Sequence, residues 1–341
     1  MDAIEGAIQA LHTAMRNFFQ SHWKVIVALL LLILVAVMTF TPENARAAPD
    51  LAERMRQHVQ AVASEEHNTR RPAQLERAAV YIETTLEKAG YTPARQEYEA
   101  GGQKVRNIEV AVANVAKGKR PERIFIVGAH YDSAQGAPGA NDNGSGTAAV
   151  LELARLLKTV QPASGTEVRF VFFVNEEPPF FLSEEMGSMQ HAAEMKRQGQ
   201  KVEGALVLET MGYYSDKPGS QQLPPGLEGQ YPDTGNFIAF VGTIESSALV
   251  RQALAAFQGA SDFPAQGLAA PAHTMGVTLS DHSSYDRHGY PALMITDTAF
   301  MRYPYYHTAQ DTPDKLDYES MARVVEGLAK TIGPLAGATQ G

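Results

Sequence analysis

The stretch "VRFVFFVNEE" (Val168–Glu177) is an almost unbroken apolar run that closes on two adjacent glutamates. A strand that is apolar at successive positions has no solvent-facing side, so it belongs inside a sheet covered on both faces. Four more segments share this texture: "RIFIVGAHYDS" (Arg123–Ser133), "GALVLETMGYY" (Gly204–Tyr214), "FIAFVGT" (Phe237–Thr243) and "PALMITDTAF" (Pro291–Phe300). With helical stretches such as Gly144–Val160 between them, they predict an α/β fold. In such a fold, ligands gather at the carboxyl ends of the strands. The polar clusters fall there: His130 and Asp132, then Glu176 and Glu177, then Glu209.

Outward from this centre, the pattern predicts helices from Leu51 to about Ser64 and from Pro72 to about Lys88, with Gly90 placed to end the second. Residues Arg95–Val115 read as a hairpin interrupted at Gly101–Gly102. The Pro/Gly-rich stretch Tyr214–Gly235 reads as one long loop, and loops of that length are usually functional or mobile.

Composition narrows the chemistry. The 341 residues are 44% hydrophobic, enough for a sizeable core, and the formal net charge is −9 with no long basic run, which argues against nucleic acid as a partner. There is no cysteine, which excludes disulfides, thiolate metal sites and a cysteine nucleophile. Any metal must rest on His, Asp and Glu.

Near the N-terminus, Val25–Phe40 is an uncharged apolar run preceded by Arg16, Trp23 and Lys24. It lies between a long signal-peptide core and a short membrane helix. Residues 1–24 are expected to be a cytoplasmic segment, 25–40 a signal anchor or signal-peptide core, 41–50 a linker and 51–341 the catalytic domain. The domain is then exported: anchored to the membrane on its periplasmic side, or secreted if cleavage occurs near Ala47. Retention as an anchor is favoured because the segment before the run is long for a signal peptide.

Taken singly, each polar cluster has an ordinary alternative. His130 and Asp132, two apart, place a carboxylate where it can accept the ring N–H of a metal-bound histidine, or are a strand-end His beside a capping Asp. Asp142, in "GANDNGSG" (Gly139–Gly146), is a ligand approached closely through glycines, or a helix cap. Glu176 and Glu177 are a metal ligand beside a proton shuttle, or a solvated pair. Glu209 is a ligand or a structural acid, and His307, in "MRYPYYHTAQDTPDKL" (Met301–Leu316), is a ligand or a packed ring among tyrosines. Together they form a hard nitrogen-and-oxygen donor set suited to zinc, with manganese or cobalt as alternatives.

In this order, "HYDS", "GANDNGSG", "NEE", "LETMGYY", "SDHSSY" and "YYHTAQDTPDKL" resemble the motifs of the two-zinc aminopeptidases related to bacterial leucyl aminopeptidase and glutamate carboxypeptidase II. The resemblance runs roughly from Leu51 to Leu335. It implies a mixed, mostly parallel sheet sandwiched by helices, of the phosphorylase/hydrolase-like kind, and two zinc ions per chain. His130 and Glu177 would hold different ions, Asp142 would bridge them, and Glu209 and His307 would complete the two shells. Glu176 would be the general base, Asp132 the orienter of His130 and Tyr306 an oxyanion donor, with Asp281 and His282 supporting the site. A non-proline cis peptide is expected after Asp142.

The implied reaction is hydrolysis of N-terminal residues from peptides by a zinc-bound hydroxide. Two departures stand out: Glu209 replaces the family's usual Asp, and "PPFF" (Pro178–Phe181) is inserted beside the base. Phe180, Phe181, Tyr213 and Tyr214 are expected to form an apolar side-chain pocket. The competing readings are a one-zinc acyltransferase like glutaminyl cyclase, opposed by Asn143 where those enzymes carry Ser, and a non-catalytic membrane ectodomain of the same fold.

Overall fold

The computed structural model describes residues 6, 9–17, 20–22 and 50–338. The apolar run 25–40, residues 41–49 of the expected linker 41–50 and the Ala47 cleavage site lie outside the described residues. Chain contacts divide the protein into Met1–Pro49 and Asp50–Gly341. In the first unit, residues 9–17 are helical and exposed. Among the described residues, no helix is long and apolar enough to cross a membrane.

The second unit is an α/β sandwich around one eight-stranded sheet, ordered β1-β2-β4-β3-β5-β8-β6-β7. The strands are β1 (Ala94–Ala100), β2 (Gln103–Asn114), β3 (Arg123–His130), β4 (Thr166–Phe173), β5 (Val202–Glu209), β6 (Ile238–Thr243), β7 (Ala265–Ala270) and β8 (Ala292–Thr296). The four central strands β4, β3, β5 and β8 are mutually parallel. β2 pairs antiparallel with β4, and β6 antiparallel with β8. The expected mixed, mostly parallel sheet is therefore present, and all four central strands deliver their carboxyl ends to one edge.

Alternation along β3 shows why the run had to be apolar throughout. Phe125, Val127 and Ala129 enter one core, and Ile124 and Ile126 enter another on the opposite face. The first face is covered by α1 (Leu51–Val62), α2 (Pro72–Lys88), α3 (Gly146–Leu156), α5 (Ser247–Ala260) and α7 (Tyr318–Leu335). The second is covered over β3 to β5 by α4 (Gly187–Arg197) and α6 (His282–Arg287). Beyond them, the apolar residues of β6 and β8 on this face, Ala239, Val241 and Met294, form a third, smaller cluster.

Helix α3 starts later than its sequence suggests. The residues before it, Ala140–Ser145, form a wide, π-type turn kinked at Asp142 and Asn143, and the Asp142–Asn143 peptide is cis, as expected. Gly146 permits the close approach that this turn requires: a Cβ there would lie 2.2 Å from Asn143 Oδ1 and 2.6 Å from the Leu208 carbonyl oxygen.

Gly128 is the tightest point of β3, because a Cβ would lie 2.5 Å from Phe173 Cε2 and 3.0 Å from the Val171 carbonyl oxygen. Gly128→Ala is therefore expected to destabilise the protein by about 1–3 kcal/mol through overpacking. Chemical denaturation checks this, and an unchanged midpoint would contradict it.

Candidate metal centre

The strand ends converge on one buried cluster. His130 ends β3, Glu209 ends β5, and Asp142 comes from the kinked turn before α3. His130 Nε2 lies 3.3 Å from Asp142 Oδ1 and 3.2 Å from Glu209 Oε2. On the other side of Asp142, His307 Nε2 lies 2.8 Å from Asp142 Oδ2 and 3.3 Å from Glu177 Oε1. Two triads result, His130/Asp142/Glu209 and Asp142/Glu177/His307, each with ligand atoms within 4.8 Å of one another. They share Asp142, one carboxylate oxygen facing each histidine. All five residues named as ligands from the sequence are thus brought together.

Glu176 and Glu177 do not diverge as neighbours on a strand do, because β4 has ended at Phe173. Asn175, at φ 62°, turns the chain. Glu176 then faces His130, with Oε2 3.9 Å from Nε2, while Glu177 faces His307. The second pair, Glu184 and Glu185, is exposed, and Glu185 accepts the amide of Gly101 at the hairpin turn.

Asp132 works differently from the sequence expectation. The ring Nδ1 of His130 meets the backbone carbonyl of Asp132 at 3.1 Å, and the Asp132 carboxylate stands off at 3.5 Å. That carboxylate instead accepts two backbone amides, Glu176 N–H at 3.0 Å and Glu177 N–H at 3.2 Å. It therefore positions the two glutamates as well as the histidine. Asp281 and His282 are fully buried and belong to neither triad.

Of the other braces, Asn143 entered the sequence reading only through its contrast with Ser, and Asp297 did not enter it. Asn143 donates to the Leu208 carbonyl at 2.9 Å and accepts from Thr210 N–H at 3.1 Å, tying the turn to the end of β5. Asp297 accepts from the Asn141 side chain at 2.9 Å and from Tyr213 N–H at 2.8 Å. Its signal was available, since Asp297 follows the apolar strand β8 just as Glu209 closes β5.

The electrostatics are those of a site short of positive charge. Burial first, and the neighbouring Asp142 next, push Glu177 up to about 7. Burial pushes Glu209 up to about 7 against the pull of His130. Glu176 is raised well above its ordinary value by burial, reinforced by Glu177 and Glu209. Burial opposes charge on His307 too, but bonds to Asp142 and Glu177 outweigh it and raise the imidazole to about 10. Glu177 Oε1 is buried, with His307 Nε2 at 3.3 Å as its cationic neighbour, and that imidazole is shared with Asp142 Oδ2 at 2.8 Å. An oxygen of this kind is costly unless a cation or proton meets it.

Tyr306 stacks on His307, with ring centroids 3.9 Å apart and planes inclined by 17°. Burial and the nearby carboxylates raise its phenol, so it stays a hydrogen-bond donor. Tyr306 and Glu209 also line an open, largely apolar cavity. Its walls include Leu223, Phe237, Val241, Leu268, Met294 and Met301.

The expected pocket residues lie elsewhere. Phe180 packs against Gly101, Tyr214 is edge-on to Phe263, and Tyr213 leans on Tyr303. Neither they nor Phe181 line the cavity. The bond of Gly101 N–H to Glu185 keeps the inserted segment on the hairpin turn, which is why aromatics adjacent in sequence to the glutamates do not build the pocket.

Residues 111–332 match the family model described as Peptidase family M28. The Escherichia coli (strain K12) protein named uncharacterized protein YfbL is 43% identical over 263 residues, covering 74% of this chain and 78% of its own length. The probable leucine aminopeptidase 1 of Trichophyton verrucosum (strain HKI 0517) is 26% identical over 258 residues; the match spans 72% of this chain and 63% of that relative. Among solved structures, the aminopeptidase from Aneurinibacillus sp. strain AM-1 superposes with a TM-score of 0.62 at 18% identity, covering 85% of this chain and 94% of that one.

The raised groups fix the sign of a pH effect. A carboxyl whose folded pKa exceeds its ordinary value of 4.5 holds its proton more tightly when folded, so its stabilisation is full below that value and fades as pH rises through about 7. His307, raised to about 10, acts in the same direction at higher pH. Chelator-stripped protein is therefore expected to melt at a lower temperature at about pH 8 than at about pH 5. Calorimetry checks this, and a melting temperature that rises over that interval would contradict it.

Proposed function

Because the chain belongs to peptidase family M28, whose members are hydrolases acting on peptide bonds, we propose that it is a zinc-dependent exopeptidase that removes N-terminal residues from peptides. The observation that carries the proposal is the pair of triads sharing Asp142. Their donors are imidazole nitrogens and carboxylate oxygens, a set that suits zinc. The buried carboxylates, which outnumber the imidazoles, and the raised glutamates fit cations at both positions. On this reading His130, Asp142 and Glu209 would hold one zinc, and Asp142, Glu177 and His307 would hold the other.

Zinc bound there would supply Lewis acidity, lowering the pKa of a water to near neutrality. The chain's own residues do the rest. Glu176 is buried, belongs to neither triad and carries a raised affinity for protons, so it accepts a proton from the attacking water and returns it to the departing amine. Asp132 holds Glu176 in place through its amide. Tyr306 donates its hydroxyl to the oxyanion. The apolar cavity beside Glu209 and Tyr306 receives the side chain of the N-terminal residue and excludes water around it.

Two complete triads favour a two-zinc peptidase over the cyclase-like alternative with one zinc, and a full ligand set beside a general base favours catalysis over a binding ectodomain. The apolar run 25–40 supports an exported domain, anchored on the periplasmic side or released near Ala47, through its sequence alone. Cell fractionation with protease accessibility tests that placement, and a domain shielded within the cytoplasm would overturn it.

Glu176→Gln is expected to lower turnover of an aminoacyl anilide by about 10²- to 10⁴-fold while zinc content stays at the wild-type level. Loss of zinc in that variant would remove Glu176 from the role of base. Across a panel of aminoacyl anilides, leucyl, methionyl and phenylalanyl substrates are expected to give a higher kcat/KM than aspartyl or lysyl ones. A charged side chain as the best substrate would contradict the assignment of the cavity.

A further inference from the structure

We propose that Asp311 is a positioning residue that sets the spacing between His307 and Asp142, so that zinc retention by the Asp142/Glu177/His307 triad depends on it. The inference rests on the two-zinc reading above and adds to it a residue that belongs to neither triad.

Asp311 follows His307 by four residues and is fully buried. Its Oδ1 accepts Asn141 N–H at 2.8 Å, and its Oδ2 accepts Asp142 N–H at 3.2 Å. Its backbone carbonyl accepts Ala140 N–H at 3.2 Å. These three amides open the kinked turn Ala140–Ser145, where no preceding helical turn supplies acceptors. One residue thus takes up three successive N–H groups of the segment that carries Asp142. The hydroxyl of Tyr303 donates to Oδ1 at 2.8 Å and fixes the carboxylate from the other side.

The arrangement repeats that of Asp132. Each histidine of the site is followed on its own segment by an aspartate, and each aspartate accepts the paired amides of a segment bearing carboxylate ligands: Glu176 and Glu177 for Asp132, Asn141 and Asp142 for Asp311. A carboxylate is required because both partners are donors. An asparagine of the same shape would turn its NH2 group toward one of the amides and leave two buried donors facing each other.

The test is zinc binding by wild type, Asp311→Asn, Tyr303→Phe and the double variant, measured as zinc per chain and by competition with a chromophoric chelator, alongside melting of the stripped proteins. Wild type is expected to hold two zinc ions. Asp311→Asn is expected to bind one of them about 10- to 100-fold more weakly while the stripped variant keeps a cooperative melt. Tyr303→Phe is expected to lose less in the same direction, and nothing further when combined with Asp311→Asn. Wild-type zinc affinity in Asp311→Asn overturns this inference alone, and so do additive losses in the double variant. If Asp311→Asn does not fold, unchanged affinity in Tyr303→Phe overturns it. Wild-type protein that holds no zinc overturns the two-zinc reading together with this one.

Discussion

The carboxylates of Asp142, Glu176, Glu177 and Glu209 are withheld from water within reach of only two imidazoles, His130 and His307. Like charges at such separations repel strongly in a protein interior, and each ion has lost its hydration as well. The protein keeps them together because their backbones leave no alternative. Three of the segments issue from neighbouring parallel strands, β3, β4 and β5, whose spacing is fixed by the sheet. The kinked turn after β3 places Asp142 between the two histidines. The electrostatic strain is answered by protons when cations are absent, which is why Glu177 and Glu209 are pushed up to about 7.

Rigid bracing converts this crowding into a division of labour. Adjacent glutamates are assigned to different histidines by one left-handed residue, Asn175, and by the Asp132 carboxylate, which grips both of their amides. Asn143 and Asn141 fasten the turn to the strand end after Glu209, through Leu208, Thr210 and Gly212. Hydrogen bonds from amides to a buried carboxylate are stronger than neutral ones and fix direction as well as distance. The ligand atoms are therefore held in place by groups that do not themselves belong to either triad.

Much of this was legible in the sequence for a definite reason. A strand buried on both faces has to be apolar along its length, so a carboxylate or imidazole at its end stands out as a ligand or a brace, and several such ends together mark the site. His130, Glu176, Glu177 and Glu209 were readable in that way, and the order of the motifs added Asp142 and His307. What sequence reading missed depends on contacts between distant residues. β7 (Ala265–Ala270) is built largely of small residues and carries no apolar run. The cavity wall is assembled from the 214–235 loop, β6, β7 and β8, none of which announces a pocket alone. Phe180 and Phe181 misled because proximity to Glu177 in the chain is undone by the bonds that hold the insertion against the hairpin. The amide-gripping roles of Asp132 and Asp311 are invisible in sequence, since a backbone N–H has no letter of its own.

In the proposed di-zinc centre, Asp142 would stand between the two ions. Diffraction from zinc-loaded crystals on either side of the zinc absorption edge tests it most directly. Two anomalous peaks are expected to flank the Asp142 carboxylate, one beside His130 and Glu209 and the other beside Glu177 and His307. A single peak, or peaks away from Asp142, would contradict it.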